Sequence, residues 1–266
     1  MTSGKTTKRK RQAKVSPPPV RAPGQRRQAS PEVLIAASGV VALIVVAIML
    51  GFLLTGGNSS SSSTPARGSV TNALPGAAEA QRLFAGIPQN GNVLGSHNAP
   101  VTVVQYIDLQ CPFCQEFETQ AMPKLLARYV RNGKVKIEAR PIAFIGPDSE
   151  RGRAGALAAA QQNRMFNYMQ LLYLNQGTEN TGWLNDAMAT SAAASIPGLN
   201  VRAWSSARNS STLKDQSSQF DNQSDADNVT ETPTVLVGKT GGPLQKAQVS
   251  LSNIDALSAA IENALR

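Results

Sequence analysis

Two cysteines, Cys111 and Cys114, are the only ones in the chain, and they stand as Cys111-Pro112-Phe113-Cys114 at the end of an apolar run and the start of a helical pattern. A C-x-x-C pair at such a junction suits thiol-disulfide exchange for a physical reason. The unpaired N–H groups and partial positive charge of a helix N-terminus stabilise a thiolate, lowering its pKa from about 8.5 to somewhere between roughly 3.5 and 7.5. Cys111, at the cap, is then the attacking thiol. Cys114, one turn inside, can attack a mixed disulfide on Cys111 and release the bound partner. Pro112 suits the first helical position, where a missing N–H costs no hydrogen bond. A structural zinc site needs about four ligands, and besides the two cysteines the chain has one histidine, His97, within Gly95-Ser96-His97-Asn98-Ala99-Pro100. With no other histidine to join it, His97 reads as a solvated loop residue. A purely structural disulfide over so short a loop would stabilise the fold little and would not need a strand-to-helix junction.

Around these residues the pattern predicts an α/β domain. Val101 to Ile107 is β-rich and apolar on both faces, as a central covered strand should be, and runs straight into Cys111. From Pro112 onward, Phe113, Phe117, Leu125, Leu126 and Tyr129 fit one helical face, with Pro123 expected to kink or break the helix. Strict alternation in Val135 to Arg140 predicts a strand with one covered face, closing a strand-helix-strand unit. Residues 149 to about 224 read as helical, and their Met and aromatic stripe, with Trp183 and Trp204, reads as core. Strands return at Thr234 to Val237 and around Ala247-Gln248-Val249, before a last helix with a capping box from Ser252 to Asp255. Ile254, Leu257, Ile261 and Leu265 form its apolar face. Pro233, opening the run from Thr234, must lie at a strand start or an edge. A cis bond there would leave the preceding backbone free to pair with another chain, and an ordinary trans proline opening a strand is the alternative.

The formal net charge of +9 belongs entirely to the N-terminal tail. Nine basic residues precede Glu32 with no acid among them, which leaves 17 basic and 17 acidic residues for 32–266. A neutral body gives no support for nucleic-acid binding. Val33 to Leu54 runs 22 residues without a charge, long enough as a helix to cross a hydrocarbon core of about 30 Å. It is too long, and too far from the start, for a cleavable signal peptide, and no small-x-small site follows. The expected organisation is a basic disordered cytoplasmic tail (1–32), a single transmembrane helix (33–54), a Ser/Gly-rich linker (55–80) and a catalytic domain (81–266) held outside the cytoplasm by the positive-inside bias.

Taken together, Gly91-Asn92-Val93-Leu94-Gly95-Ser96, Ala99 to Val104, Asp108 to Cys114 and Thr232-Pro233-Thr234 resemble the membrane-anchored DsbA-like thioredoxin-fold proteins over most of residues 82–266. The resemblance implies a thioredoxin fold with an inserted α-helical domain. It also implies Cys111 as nucleophile, Cys114 as resolving thiol, Pro233 as a cis proline beside the disulfide, and a Thr232 backbone offered to an extended substrate. Departures accompany it. Gln105 stands where many relatives carry a buried glutamate thought to move the proton of the resolving thiol. Asp108 is the nearest remaining carboxylate in sequence, with capping of the turn before Cys111 as its plainer role. Phe113 replaces the histidine of the strong oxidants, which points to a weaker oxidant. Glu231 replaces a glycine and puts a negative charge near the site.

The expected function is a membrane-tethered thiol-disulfide oxidoreductase that oxidises cysteines of exported proteins with no bound cofactor or metal. Its implied reoxidant is a quinone-linked membrane protein resembling the DsbB or vitamin K epoxide reductase families. The alternatives are a disulfide reductase or isomerase using the same residues, and a non-enzymatic anchored chaperone or binding module.

Overall fold

The computed structural model describes residues 67–266. The basic tail, the 33–54 span and the first part of the linker lie outside the described residues. Among the described residues no helix is long and apolar enough to cross a membrane.

The folded body begins earlier than residue 81. Arg67 bridges Asn200, and the Gly68 and Ser69 N–H groups donate to Leu199 O and Ala194 O at 2.8 and 2.9 Å. Helix α1 (Ala77–Phe84) then buries Ala77, Ala80 and Phe84, the last against Phe166 with ring centroids 6.1 Å apart. The expected linker therefore ends in packed chain, because even its last residues supply apolar side chains to the core.

A β-hairpin follows that the strand pattern did not signal, β1 (Gln89–Asn90) and β2 (Val93–Leu94), too short to show alternation. Gly95 comes next at φ 109, where a Cβ would lie 2.9 Å from Val135 O, so both conformation and space ask for glycine. Strand β3 (Val101–Ile107) is buried at all seven positions. It lies parallel to β4 (Val135–Pro141) and antiparallel to β5 (Thr234–Lys239), within a six-stranded sheet of order β1-β2-β4-β3-β5-β6. In β4, burial alternates along the strand as the sequence predicts.

Between β3 and β4 the helix starts as α2 (Pro112–Gln120) and breaks before Pro123 into the short α3 (Met122–Leu125) and a π-helical turn, Leu126–Val130. Proline has no N–H to continue the ladder, which accounts for the break. Phe117, Leu125, Leu126 and Tyr129 are buried, whereas Phe113 is 59% exposed. It belongs to the first turn, where the helix end opens onto the surface instead of facing the sheet.

Between β4 and β5 lie five helices: α4 (Pro147–Ala160), α5 (Met165–Leu174), α6 (Asp186–Ala194), α7 (Val201–Ala207) and α8 (Ser211–Ala226). They pack around buried Met, Tyr and Trp side chains, and Trp204 Nε1 donates to Gly155 O at 2.8 Å.

Two expectations near the C-terminus are corrected. Strand β6 is Gln245–Ala247, two residues earlier than expected, because a turn closed by Gly242 N to Lys239 O sets Gln245 opposite Val237. Helix α9 (Asp255–Leu265) has no capping box. Asp255 is its first residue, whereas the box needs an acid at the third helical position; Asn253 Oδ1 accepts the Asp255 N–H instead. Ile254, Leu257 and Ile261 still form the buried face.

Candidate active site

The sheet register assembles the site. β3 ends at Ile107, and the turn Asp108 to Gln110 delivers Cys111 to the N-cap of α2, with Pro112 in its first turn. Because β5 runs antiparallel to β3 with Thr234 opposite Tyr106, the residues just before β5 fall beside that same turn. Thr232-Pro233, joined by a cis peptide bond, thus reaches Cys111 from 121 residues away, and Cys111 Sγ donates to Thr232 O at 3.3 Å.

The two thiols are unbridged and their electrostatics diverge. Cys111 is lowered from 9.0 to about 6, chiefly by the hydrogen bond from the Cys114 thiol, then by the Thr232 side chain and the backbone N–H groups of Cys114 and Phe113. Burial opposes the shift, as does the Thr232 carbonyl, which accepts from the neutral thiol. The donors at the helix start win because several act on one sulfur at short range. Cys114, fully buried one turn inside, is pushed well above its ordinary value by burial and by the adjoining Cys111. One sulfur is thereby held as a thiolate near neutral pH and the other as a thiol.

Asp108 is entirely buried, and its carboxyl accepts four hydrogen bonds: Gln110 N and Ser149 Oγ on Oδ1, Phe144 N and Ile145 N on Oδ2, all between 2.7 and 2.9 Å. That places it as the cap of the active turn, with no oxygen facing a sulfur left unpaired. The inserted helices and their connections clamp the same turn. Tyr173 Oη donates to Asp108 O, Gln176 Nε2 to Leu109 O and Cys111 O, and Gln110 is held by Ser149 and Asn180. None of these partners is visible in the local sequence, since each lies tens of residues away.

Gln105 is buried on β3 with both amide atoms unpartnered. Facing it from α2 is Glu118, 2% exposed, with Oε1 also lacking a partner of good geometry. Burial raises the Glu118 carboxyl to about 8, against a small lowering from Gln105. Sequence reading passed over this residue, although its place four residues after Cys114 puts the two on one helical face.

Phe113 stands between two surface depressions. One of about 360 Å³ is lined by Phe113, Glu231, Thr232, Pro233, Val249 and Leu251. The other, about 660 Å³, is lined by Pro112, Phe113, Gln115, Gln176 and Glu179. Glu231 is solvent-exposed and is not among the groups that set the Cys111 thiol, which is held low in its presence. His97 is exposed in its turn, as expected. A larger depression of about 790 Å³ lies among the inserted helices, lined by Arg151, Arg153, Asp186 and Arg208, whose charges pair with one another or with neighbouring acids. Among the described residues no three His, Cys, Asp or Glu side chains are grouped to hold a metal ion.

The thioredoxin family model matches residues 88–263. Among curated relatives, the probable disulfide bond formation protein D of Bacillus cereus is 26% identical over 177 residues, covering 65% of this chain and 78% of that protein. Disulfide bond formation protein D of Bacillus subtilis is 24% identical over 179 residues, covering 65% and 77%. In fold, the chain is similar to oxidised BdbD from Bacillus subtilis, with a TM-score of 0.58 and 21% identity over 67% of this chain and 97% of that one. Wolbachia pipientis alpha-DsbA1 gives 0.56 and 17%, covering 65% and 90%. With a low-pKa Cys111 above a buried Cys114 on the sheet and helices these proteins share, the chain belongs to the thioredoxin family, and its likeness there is to the DsbA-like thiol-disulfide oxidoreductases.

Proposed function

We propose that this thiol-disulfide oxidoreductase passes its Cys111-Cys114 disulfide to cysteines of exported proteins while tethered to the membrane by residues 33–54. The observation that carries the reading is the split between the two sulfurs, with Cys111 lowered to about 6 and Cys114 raised by burial. A stabilised Cys111 thiolate is a good leaving group, which favours the reduced enzyme and makes its disulfide a donor. In this scheme a substrate thiolate attacks Cys111 Sγ, the Cys111–Cys114 bond breaks with its electron pair on Cys114 Sγ, and a mixed disulfide forms on Cys111. A second substrate thiolate then attacks the substrate sulfur of that bond, forming the substrate disulfide and releasing the Cys111 thiolate.

Around this pair, Thr232 offers its backbone to an extended substrate lying in the depression beside Pro233. Phe113 and Pro112 form the exposed apolar lip, and Asp108 holds the turn. The uncharged stretch 33–54 and the cationic tail before it support a single span with the enzyme domain outside the cytoplasm. Names of the Bacillus relatives support disulfide formation as the direction. Repeated turnover needs a reoxidant, and a quinone-linked membrane protein of the DsbB-like or vitamin K epoxide reductase-like kind suits a tethered donor.

The test is the reduction potential of the full-length chain, equilibrated in glutathione buffers and read by thiol alkylation. A value between about −120 and −180 mV supports disulfide donation. One near about −270 mV overturns it in favour of a reductase.

A further inference from the structure

Resting on the thiol-disulfide exchange reading, the surroundings of Cys111 decide which substrate cysteines it meets. Phe113, two residues on, is shared by both depressions at the site, and each of them carries one carboxylate. Glu231 lines the smaller, beside Thr232 and Pro233, and Glu179 lines the other. Both side chains are exposed, and among the described residues neither has an ion-pair partner. The cation in these linings is Lys246, whose Nζ donates to Asn228 O at 2.8 Å. Residues 32–266 balance 17 basic against 17 acidic residues, so the negative charge beside the cysteine is local and not that of the whole body.

The smaller depression combines features that suit a cationic side chain. Phe113 is 59% exposed, and an aromatic ring open to a partner attracts Lys or Arg. Glu231 adds a full negative charge to the same wall. Its carbonyl accepts Thr234 Oγ1 at 2.7 Å, which fixes the backbone from which the carboxylate projects. Val249 and Leu251 provide apolar surface for the methylene stem of a long basic residue. Glu231 also adjoins Thr232, whose carbonyl oxygen lies 3.3 Å from Cys111 Sγ. With successive residues of a strand about 3.3 Å apart, a segment lying along Thr232 with its cysteine at Cys111 brings to Glu231 a residue within about two positions of that cysteine. Because Glu231 is not among the groups that set the Cys111 thiol, its charge acts on the incoming segment and leaves the enzyme's sulfur as it is.

We propose that Glu231, together with the Phe113 ring, is a specificity-determining residue that selects substrate segments carrying a lysine or arginine beside the reacting cysteine. The bond changes are those of the exchange itself: the segment's thiolate attacks Cys111 Sγ and the electron pair of the enzyme's disulfide leaves on Cys114 Sγ. Selection occurs in encounter and docking, where a basic neighbour is attracted and an acidic one repelled, and it weakens as salt screens the charges.

The experiment measures reduction of the full-length oxidised protein by short peptides holding a single cysteine flanked on both sides by lysine, glutamine or glutamate, quenched and read by alkylation. A neighbouring cation also raises the thiolate fraction of the peptide itself. Each rate is therefore divided by that of the same peptide with hydroxyethyl disulfide, a neutral reference. At low ionic strength the corrected lysine-to-glutamate ratio is expected to be on the order of tenfold for the wild type, and to shrink in about 1 M salt. In Glu231→Gln it should fall to about threefold, the remainder coming from Phe113, and in Glu231→Lys to one or below. The Cys111 midpoint in Glu231→Gln should stay at about 6, as selection by charge on the partner requires. A corrected ratio near one in the wild type, or a ratio unchanged in both Glu231 variants, overturns the proposal while leaving disulfide exchange intact. If no peptide of any charge forms a mixed disulfide at Cys111, the exchange reading itself falls.

Discussion

The lowered Cys111 thiol makes a quantitative demand on reactivity. With a midpoint at about 6, roughly nine-tenths of Cys111 is thiolate at pH 7, against about one-hundredth for a thiol at its ordinary 9.0. Intrinsic nucleophilicity falls with basicity along a Brønsted slope of about 0.4–0.5, which takes back roughly twentyfold of that roughly ninetyfold gain. Cys111 should therefore react with iodoacetamide only a few-fold faster than free cysteine at pH 7, with a plateau that begins far lower in pH. The perturbation is Cys114→Ala, which removes the hydrogen bond contributing most to the low value. A hydrogen bond to a charged group is worth about 1.5–3 kcal/mol, so the midpoint should rise by about one to two pH units. The assay is carboxamidomethylation of the reduced protein as a function of pH, located by mass spectrometry. A wild-type midpoint near 9, or a Cys114→Ala midpoint unmoved from the wild type, would refute the reasoning. The sign for stability follows from linkage. Because the folded pKa is depressed, the stabilisation of the reduced form is complete above the unfolded value near 9 and is lost as pH falls through about 6. At pH 7 it amounts to about 1.4 kcal/mol, equivalent to about 30 mV of added oxidising power.

Glu118→Gln should stabilise the protein, because a carboxyl raised from 4.5 to about 8 costs stability progressively as pH rises from about 5 to 8. At pH 7 the gain should be about 3 kcal/mol in chemical denaturation and should vanish near pH 4; equal stability of the two proteins at pH 7 would contradict a buried, unpaired acid. Asp108→Ala strands the Gln110, Phe144 and Ile145 N–H groups and the Ser149 hydroxyl, and should cost about 3–5 kcal/mol in the same assay. A loss below about 1 kcal/mol would show that water replaces the carboxyl freely.

Local sequence determined the elements whose pattern is local. The apolar run Val101 to Ile107 could only be a covered strand, the alternation from Val135 marked a half-covered one, and Cys111-Pro112-Phe113-Cys114 announced thiol chemistry at a helix start. Period and propensity act within a few residues, and these features need nothing more. Tertiary structure decided what depends on register and burial. Antiparallel pairing of β5 with β3 brings Thr232-Pro233 to Cys111, and inserted residues such as Tyr173 and Gln176 lock the turn that presents it. Pairing of β6 with β5, Gln245 opposite Val237, set that strand at Gln245–Ala247. Glu118 shows the division most sharply. In sequence it is one more acid on a helix among Gln115, Glu116 and Thr119, and its raised carboxyl arises only because α2 turns that position inward against Gln105 while Glu116 is left in water. Burial, which no spacing records, converts an ordinary carboxylate into a neutral acid held against Gln105.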